Sequence, residues 1–386
     1  MRKLILILLF VFIALSFVNA DVIQRFPKPD FETDYERPDL KTPRARSLAL
    51  EYVDVLVLLV ALSLASYFAL KKRSRRHLFL LMVFSLIYFG FYRKGCVCSV
   101  GSIQNVAYAL FNNDYTIPLT VVAFFVLPLV FTLFFGRTFC AAVCPLGVIQ
   151  DAVILKPANV PYWLACVLSF VPYLYLGFAV LFAITGAGFI ICQFDPFVGF
   201  FRFGASFNLI LFGAFMLLLG TVVARPYCRF LCPYGVLLNW VSRLAKWHLS
   251  ITPSECINCR LCEESCPFGA INKTVLDEPH QPRKKSMQNM AIVLLMAPVI
   301  IFSAGWMGSF LSVPLSKAHF TVSLAEAILL EDSGKSTEPT DETTAFRASG
   351  KPTAQLMEEA RRVQHHFRTG GWILGLFIGM ILVIKL

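Results

Sequence analysis

Apolar residues run along this chain in long blocks, and the blocks have the length of membrane helices. Beyond residue 50 they fall near 52–70, 78–92, 117–135, 161–190, 207–224, 289–310 and 371–384. Most approach or exceed the roughly 20 residues that an α-helix needs to cross a bilayer. Two are irregular. The run from Leu78 to Phe91 is short and also suits a re-entrant segment. Residues 161–191 exceed one crossing and contain Pro172, Gly186 and Gly188, so a kink or tilt is expected. The pattern predicts an all-α polytopic membrane protein.

The polar intervals orient these blocks. Met1-Arg2-Lys3, the apolar run Leu4 to Val18 and Val18-Asn19-Ala20 predict a signal peptide over 1–20, with an uncleaved first helix as the other reading. Either way residues 21–50 become an extended periplasmic lead-in. The first span and its loop occupy 51–77, and Lys71-Lys72-Arg73-Ser74-Arg75-Arg76 marks the cytoplasmic side. Alternation then makes 286–311 a transmembrane helix, 312–370 a periplasmic segment and 371–386 a C-terminal transmembrane helix. Within 312–370 the polar centre, 331–345, reads as flexible, and Pro352 to Phe367 reads as helical. The expected location is a bacterial inner (cytoplasmic) membrane, crossed several times.

Composition agrees: 57% of residues are hydrophobic and 15% charged, against about 25% charged in an ordinary soluble domain. The formal charge of +11 comes without a basic stripe interleaved with aromatics. It is assigned to anionic lipid headgroups, not nucleic acid. The spans show no buried charges of the kind that line a transported substrate's path.

An internal repeat organises the middle of the chain. Residues 78–160 hold Cys98, an apolar span, then Arg137-Thr-Phe-Cys140-Ala-Ala-Val-Cys144-Pro145-Leu-Gly147-Val148. Residues 161–248 hold Cys192, an apolar span, then Arg225-Pro-Tyr-Cys228-Arg-Phe-Leu-Cys232-Pro233-Tyr-Gly235-Val236. Two helix pairs repeated in the same sense predict a four-helix core with a pseudo-two-fold axis along the membrane normal. Each half would bring one cysteine pair to the cytoplasmic end. Arg137 and Arg225 then either snorkel to the interface or balance the charge of a thiolate-bound group.

The strongest chemical signal follows in 249–285. Cys256, Cys259, Cys262 and Cys266, followed by Pro267, form the C-x2-C-x2-C-x3-C-P run of bacterial [4Fe–4S] ferredoxins. This predicts a small ferredoxin-like cytoplasmic cluster-binding segment. With Cys140, Cys144, Cys228 and Cys232 it supplies eight cysteines, enough for two [4Fe–4S] clusters. One division gives each group of four its own cluster. The other lets Cys266 exchange places with a pair cysteine, as in two-cluster ferredoxins. Cys96, Cys98 and Cys192 are expected at the opposite end of the bundle, as a second redox site, a further iron–sulfur centre, a disulfide or plain packing. Cys166, alone in an apolar run, reads as packing.

Two C-x3-C-P motifs on helical spans followed by a ferredoxin motif resemble the NapH/NosR-type membrane-bound 4Fe–4S ferredoxin family, over about residues 78–285. The resemblance implies electron transfer between a quinol or flavoprotein donor and a respiratory or periplasmic redox partner. Relatives of that type often carry two full ferredoxin motifs, and this chain carries one. The expected function is a one-electron relay, running across the membrane in its fullest form. The alternative is a NosR-like redox sensor or maturation factor without steady-state electron transfer. No acid, base or nucleophile stands in company that suggests substrate chemistry of the chain's own. It reads as an electron-transfer subunit of an oxidoreductase system.

Overall fold

In a computed structural model the described residues are 47–95, 98–112, 115–155, 160–247, 283–334 and 340–385. The predicted leader, Cys96 and the run Cys256 to Cys266 lie outside them. The described residues are almost wholly helical, without a strand. Four helices are long and apolar enough to cross a membrane, Leu48–Lys72, Trp163–Thr185, Met290–Ser316 and Thr353–Lys385. Leu119–Phe135 and Phe207–Gly220 are apolar but shorter.

The chain opens with α1 (Leu48–Tyr67), extended by a π-helical turn over Phe68–Lys72. Next, α2 (Arg75–Ser85) runs into a second π-helical stretch, Leu86–Tyr92. This is the segment whose length left re-entry open. It returns along α1 far enough for Tyr88 to donate to the Asp54 carboxylate at 2.7 Å and for Arg93 to pair with it at 2.8 Å. Asp54 is only 1% exposed. The expectation of spans without buried charge is therefore corrected. A lone aspartate is costly in an apolar span, and this one is satisfied by partners 34 and 39 residues away.

The first half continues as α3 (Ser99–Phe111) and α4 (Leu119–Phe135). Two short helices follow, α5 (Thr138–Ala142) and α6 (Pro145–Asp151). Gly136 ends α4 at φ +70°, a left-handed conformation that glycine adopts without steric cost. The second half holds α7 (Tyr162–Leu168) and α8 (Val171–Thr185), so the long block is broken by a turn just before Pro172. Then come α9 (Ile190–Gln193), α10 (Val198–Arg202), α11 (Phe207–Gly220), α12 (Pro226–Phe230) and α13 (Pro233–Ser242). One buried cluster joins both halves, with Leu62, Ala142, Ala179, Phe197 and Leu238 completely enclosed.

Two long helices close the chain, α14 (Arg283–Ser316) and, after α15 (Phe320–Asp332) and α16 (Asp341–Ala348), α17 (Thr353–Lys385). Helices α14 and α17 meet through glycines. A Cβ on Gly371 would stand 2.6 Å from the Gly308 carbonyl oxygen, and one on Gly375 2.8 Å from the Gly305 Cα. In lipid, such backbone approach replaces hydrophobic driving force with close van der Waals packing. Helix α17 also lies on α8, where Leu374 fills the space over Gly177. The segment expected to be flexible is ordered on both sides of 335–339. Helices α15, α16 and the start of α17 share a small core of Val322, Leu324, Ile328, Phe346 and Leu356. Thr340 caps α16, and the Thr343 hydroxyl donates to Glu331 at 2.6 Å. Polar composition had masked a three-helix unit.

Candidate functional site

The Cys-Pro step explains how each cysteine pair is presented. Proline has no N–H to continue a helix and disfavours helical geometry in the residue before it. Cys144 and Cys232 are accordingly extended N-caps, with Pro145 and Pro233 as first residues of α6 and α13. Their partners Cys140 and Cys228 lie in the preceding short helices. Backbone N–H groups of Leu146 and Gly147 point at the Cys144 sulfur, and that of Gly235 at Cys232. Such N–H groups stabilise a thiolate and raise the reduction potential of a cluster bound through it.

The structure brings both pairs to one cavity of about 640 Å³. Cys140, Cys144, Cys228 and Cys232 all line it, together with Arg137, Arg225, Arg229, Arg243 and Lys385, and no carboxylate among the described residues does. Burial pushes the thiols of Cys140, Cys144 and Cys228 up to about 12. Arg225 opposes that rise at each of them. Among the described residues no three His, Cys, Asp or Glu side chains converge on one point, as ligands of a single metal ion would. Four thiols spread round a cationic cavity suit a cluster, which binds each thiolate through a different iron and carries net negative charge.

Several residues here carried no signal in the sequence. Gln150 is wholly buried, and its amide nitrogen donates to the Cys228 sulfur at 3.2 Å while its oxygen accepts from the Tyr227 N–H at 3.0 Å. It ties the first half to the second half's cysteine. Arg225 donates through Nε to Asp151 at 2.6 Å and through a second nitrogen to the Cys140 carbonyl at 2.6 Å. A third nitrogen meets the other Asp151 oxygen. Arg137 donates to Asn239 and, at 3.3 Å, to Ser242.

Cys98 also lies close to this cavity. It lines a void of about 10 Å³ that Cys144 also lines, between Phe124 and Phe139. The cause is the chain's return after Arg93, which starts α3 inside the bundle with Cys98 as its N-cap. On its other side Cys98 faces a second cavity of about 280 Å³, shared with Asp54, Arg93, Cys192, Asp195 and Arg202. Cys192 stands over α3, where a Cβ on Gly101 would lie 3.0 Å from its sulfur. Cys98 and Cys192 are not bonded to each other. Asp195 is 4% exposed and accepts from the Phe197 N–H at 2.9 Å. Burial pushes its carboxyl up to about 6. Tyr227, buried between the two cavities, has a hydroxyl without a partner among the described residues.

Comparison with known proteins bears on the same segments. A 4Fe-4S binding domain family matches residues 117–158 and 205–252, the two stretches that carry the C-x3-C-P pairs. A second 4Fe-4S binding domain family matches residues 249–272. Over 187 residues the chain is 26% identical to YccM of Escherichia coli, whose name describes an electron transport protein, covering 44% of this chain and 52% of that one. It is 28% identical over 203 residues to an uncharacterized protein of Methanocaldococcus jannaschii, covering 50% and 82%. It is 26% identical over 211 residues to the regulatory protein NosR of Stutzerimonas stutzeri, covering 50% and 29%. The match thus spans about half the length of YccM and less of NosR. No solved structure matches.

Helices apolar and long enough to cross a membrane thus accompany segments that match 4Fe-4S binding domains. Similarity to YccM and NosR, at 26% identity, extends over 44% and 50% of this chain.

Proposed function

We propose that this protein is a membrane one-electron relay holding one [4Fe–4S] cluster on Cys140, Cys144, Cys228 and Cys232 and a second on Cys256, Cys259, Cys262 and Cys266. The observation that carries this reading is the meeting of both C-x3-C-P pairs in one cationic cavity. A thiolate-bound cubane takes up and returns a single electron with little change of shape, at a potential set by charge, hydrogen bonds and burial. The chain's own residues supply those settings. Gln150 and the N–H groups of Leu146, Gly147 and Gly235 donate toward sulfur, while Arg137 and Arg225 offset its charge.

The arginine contacts support the pseudo-two-fold arrangement, because each arginine reaches from its own half into the other. The basic loop after α1 supports a cytoplasmic position for the cluster end. Cys98 supports a path toward the second cavity, since one thin layer separates it from Cys144. Quinol or flavoprotein is the donor class that fits a membrane carrier, with a respiratory or periplasmic partner as acceptor.

Anaerobic purification with iron and sulfide analysis and EPR tests the reading. About eight iron per chain is expected, falling to about four in a Cys140→Ser/Cys228→Ser protein. Zinc in place of iron, or no loss in that variant, overturns it. Similarity to the regulatory protein NosR favours one second reading, a redox regulator. Reduction of the clusters much more slowly than respiratory turnover would favour that role.

A further inference from the structure

The two halves of the cysteine cavity carry the same arginine and different counter-groups. Arg137 and Arg225 each stand three residues before the first cysteine of a pair. Seven residues after the second cysteine stand Asp151 in the first half and Asn239 in the second. The contacts cross: Arg225 grips Asp151 with two nitrogens, and Arg137 reaches Asn239 and Ser242. One arginine is neutralised by a carboxylate. The other, among the described residues, meets only an amide and a hydroxyl.

We propose that this Asp/Asn difference makes the cavity electrically one-sided and that Arg137, paired with neutral groups, is one of the cations that raise the reduction potential of the group held there. The inference rests on the cluster reading above. Reduction adds one negative charge to the cavity, and a net cation in its wall favours the reduced form. Arg225 lines the same wall, but the Asp151 carboxylate within hydrogen-bond distance offsets part of its charge. Packing alone does not require the difference, since an amide and a carboxylate have nearly the same shape. Arg229, Arg243 and Lys385 also line the wall, and Arg243, four residues after Asn239 at the end of α13, is placed to share a carboxylate introduced there.

Two substitutions of nearly equal size test the assignment in opposite directions. Asn239→Asp places a carboxylate against Arg137, and Asp151→Asn uncovers Arg225. The readout is the midpoint of the EPR signal that disappears in the Cys140→Ser/Cys228→Ser protein, followed in potentiometric titration of the full chain. Asn239→Asp is expected to shift the oxidised-to-reduced ratio at fixed potential about tenfold toward oxidised, about 59 mV for a one-electron couple. Asp151→Asn should shift it by a similar factor toward reduced, and the double variant should return near the starting value.

Iron content should stay at the wild-type level in Asn239→Asp, whose side chain joins an exposed arginine. If Asp151→Asn loses its iron, Asn239→Asp alone decides. Retained iron with an unmoved midpoint, or single-variant shifts of the same sign, overturns the role of Arg137 and leaves the cluster. Absence of iron from the wild-type protein overturns the cluster reading and this inference with it.

Discussion

Replacing Asp195 with asparagine should flatten the pH dependence of this protein's stability. Asp195 lies in the connection between α9 and α10, outside the apolar spans, with Arg202, Cys98, Tyr175 and Tyr227 within electrostatic reach. Burial raises its carboxyl from 3.8 to about 6, against the Phe197 and Val198 N–H groups and Arg202, which favour the charged form. Between those values the folded state keeps a proton that the unfolded chain has released. Stability therefore falls as pH rises from about 4 and levels off above 6. The full difference is two to two and a half pH units, or roughly 3 kcal/mol at about 1.4 kcal/mol per unit. About half of it falls between pH 5 and pH 8.

Thermal unfolding of detergent-solubilised protein at those two pH values is the assay. Wild-type protein should melt several degrees lower at pH 8 than at pH 5. Asp195→Asn, neutral throughout and still able to accept from the Phe197 N–H, should lose most of that difference. A variant as pH-sensitive as the wild type would refute the reasoning, because the titrating group would then lie elsewhere.

Three further outcomes follow from the packing and the cavities. Gly375→Leu should lower the melting temperature by an amount reflecting about 1–3 kcal/mol or more of overpacking between α14 and α17. Ser303→Leu, on an exposed part of α14, should have little effect. Cys98→Ser/Cys192→Ser should leave iron content unchanged while slowing electron passage between the two faces of reconstituted vesicles; unchanged flow would sink a route through Cys98. Glu331, held below the usual carboxylate range by the Thr343 hydroxyl and then Arg347, contributes stability above about pH 4.5 that is lost as it protonates. Limited proteolysis of the α15–α16 unit should accordingly speed up in acid, and less so in Glu331→Gln.

The cysteine pairs were legible because a proline directly after a cysteine is a local instruction: it ends one helix and begins another with the thiol at the joint. The repeat was legible for the same reason, as a short pattern copied without a gap. What escaped depends on contacts between distant segments. Asp54 is buried with partners, Tyr88 and Arg93, that come from the next apolar segment. Gln150 and Asn239 matter because they touch the other half, which no spacing within their own half reveals. The void shared by Cys98 and Cys144 likewise joins residues 46 apart, which alternation of spans does not reveal. Around the polar stretch 331–345, composition hides the two helices that Thr340, Thr343 and Glu331 tie together on either side of 335–339.

Helix α17 has 33 residues, so at 1.5 Å per residue it is about 50 Å long, some 20 Å more than the hydrocarbon layer. One end forms part of the α15–α16 unit, and the other puts Lys385 into the wall of the cysteine cavity, against Ser169. Close-packed glycines against α14 leave the rod little room to bend between them. Mechanically it is a lever with its fulcrum at Gly371 and Gly375. A protein leaning on the three-helix unit therefore delivers its load, through one stiff element, to the place where the thiols gather.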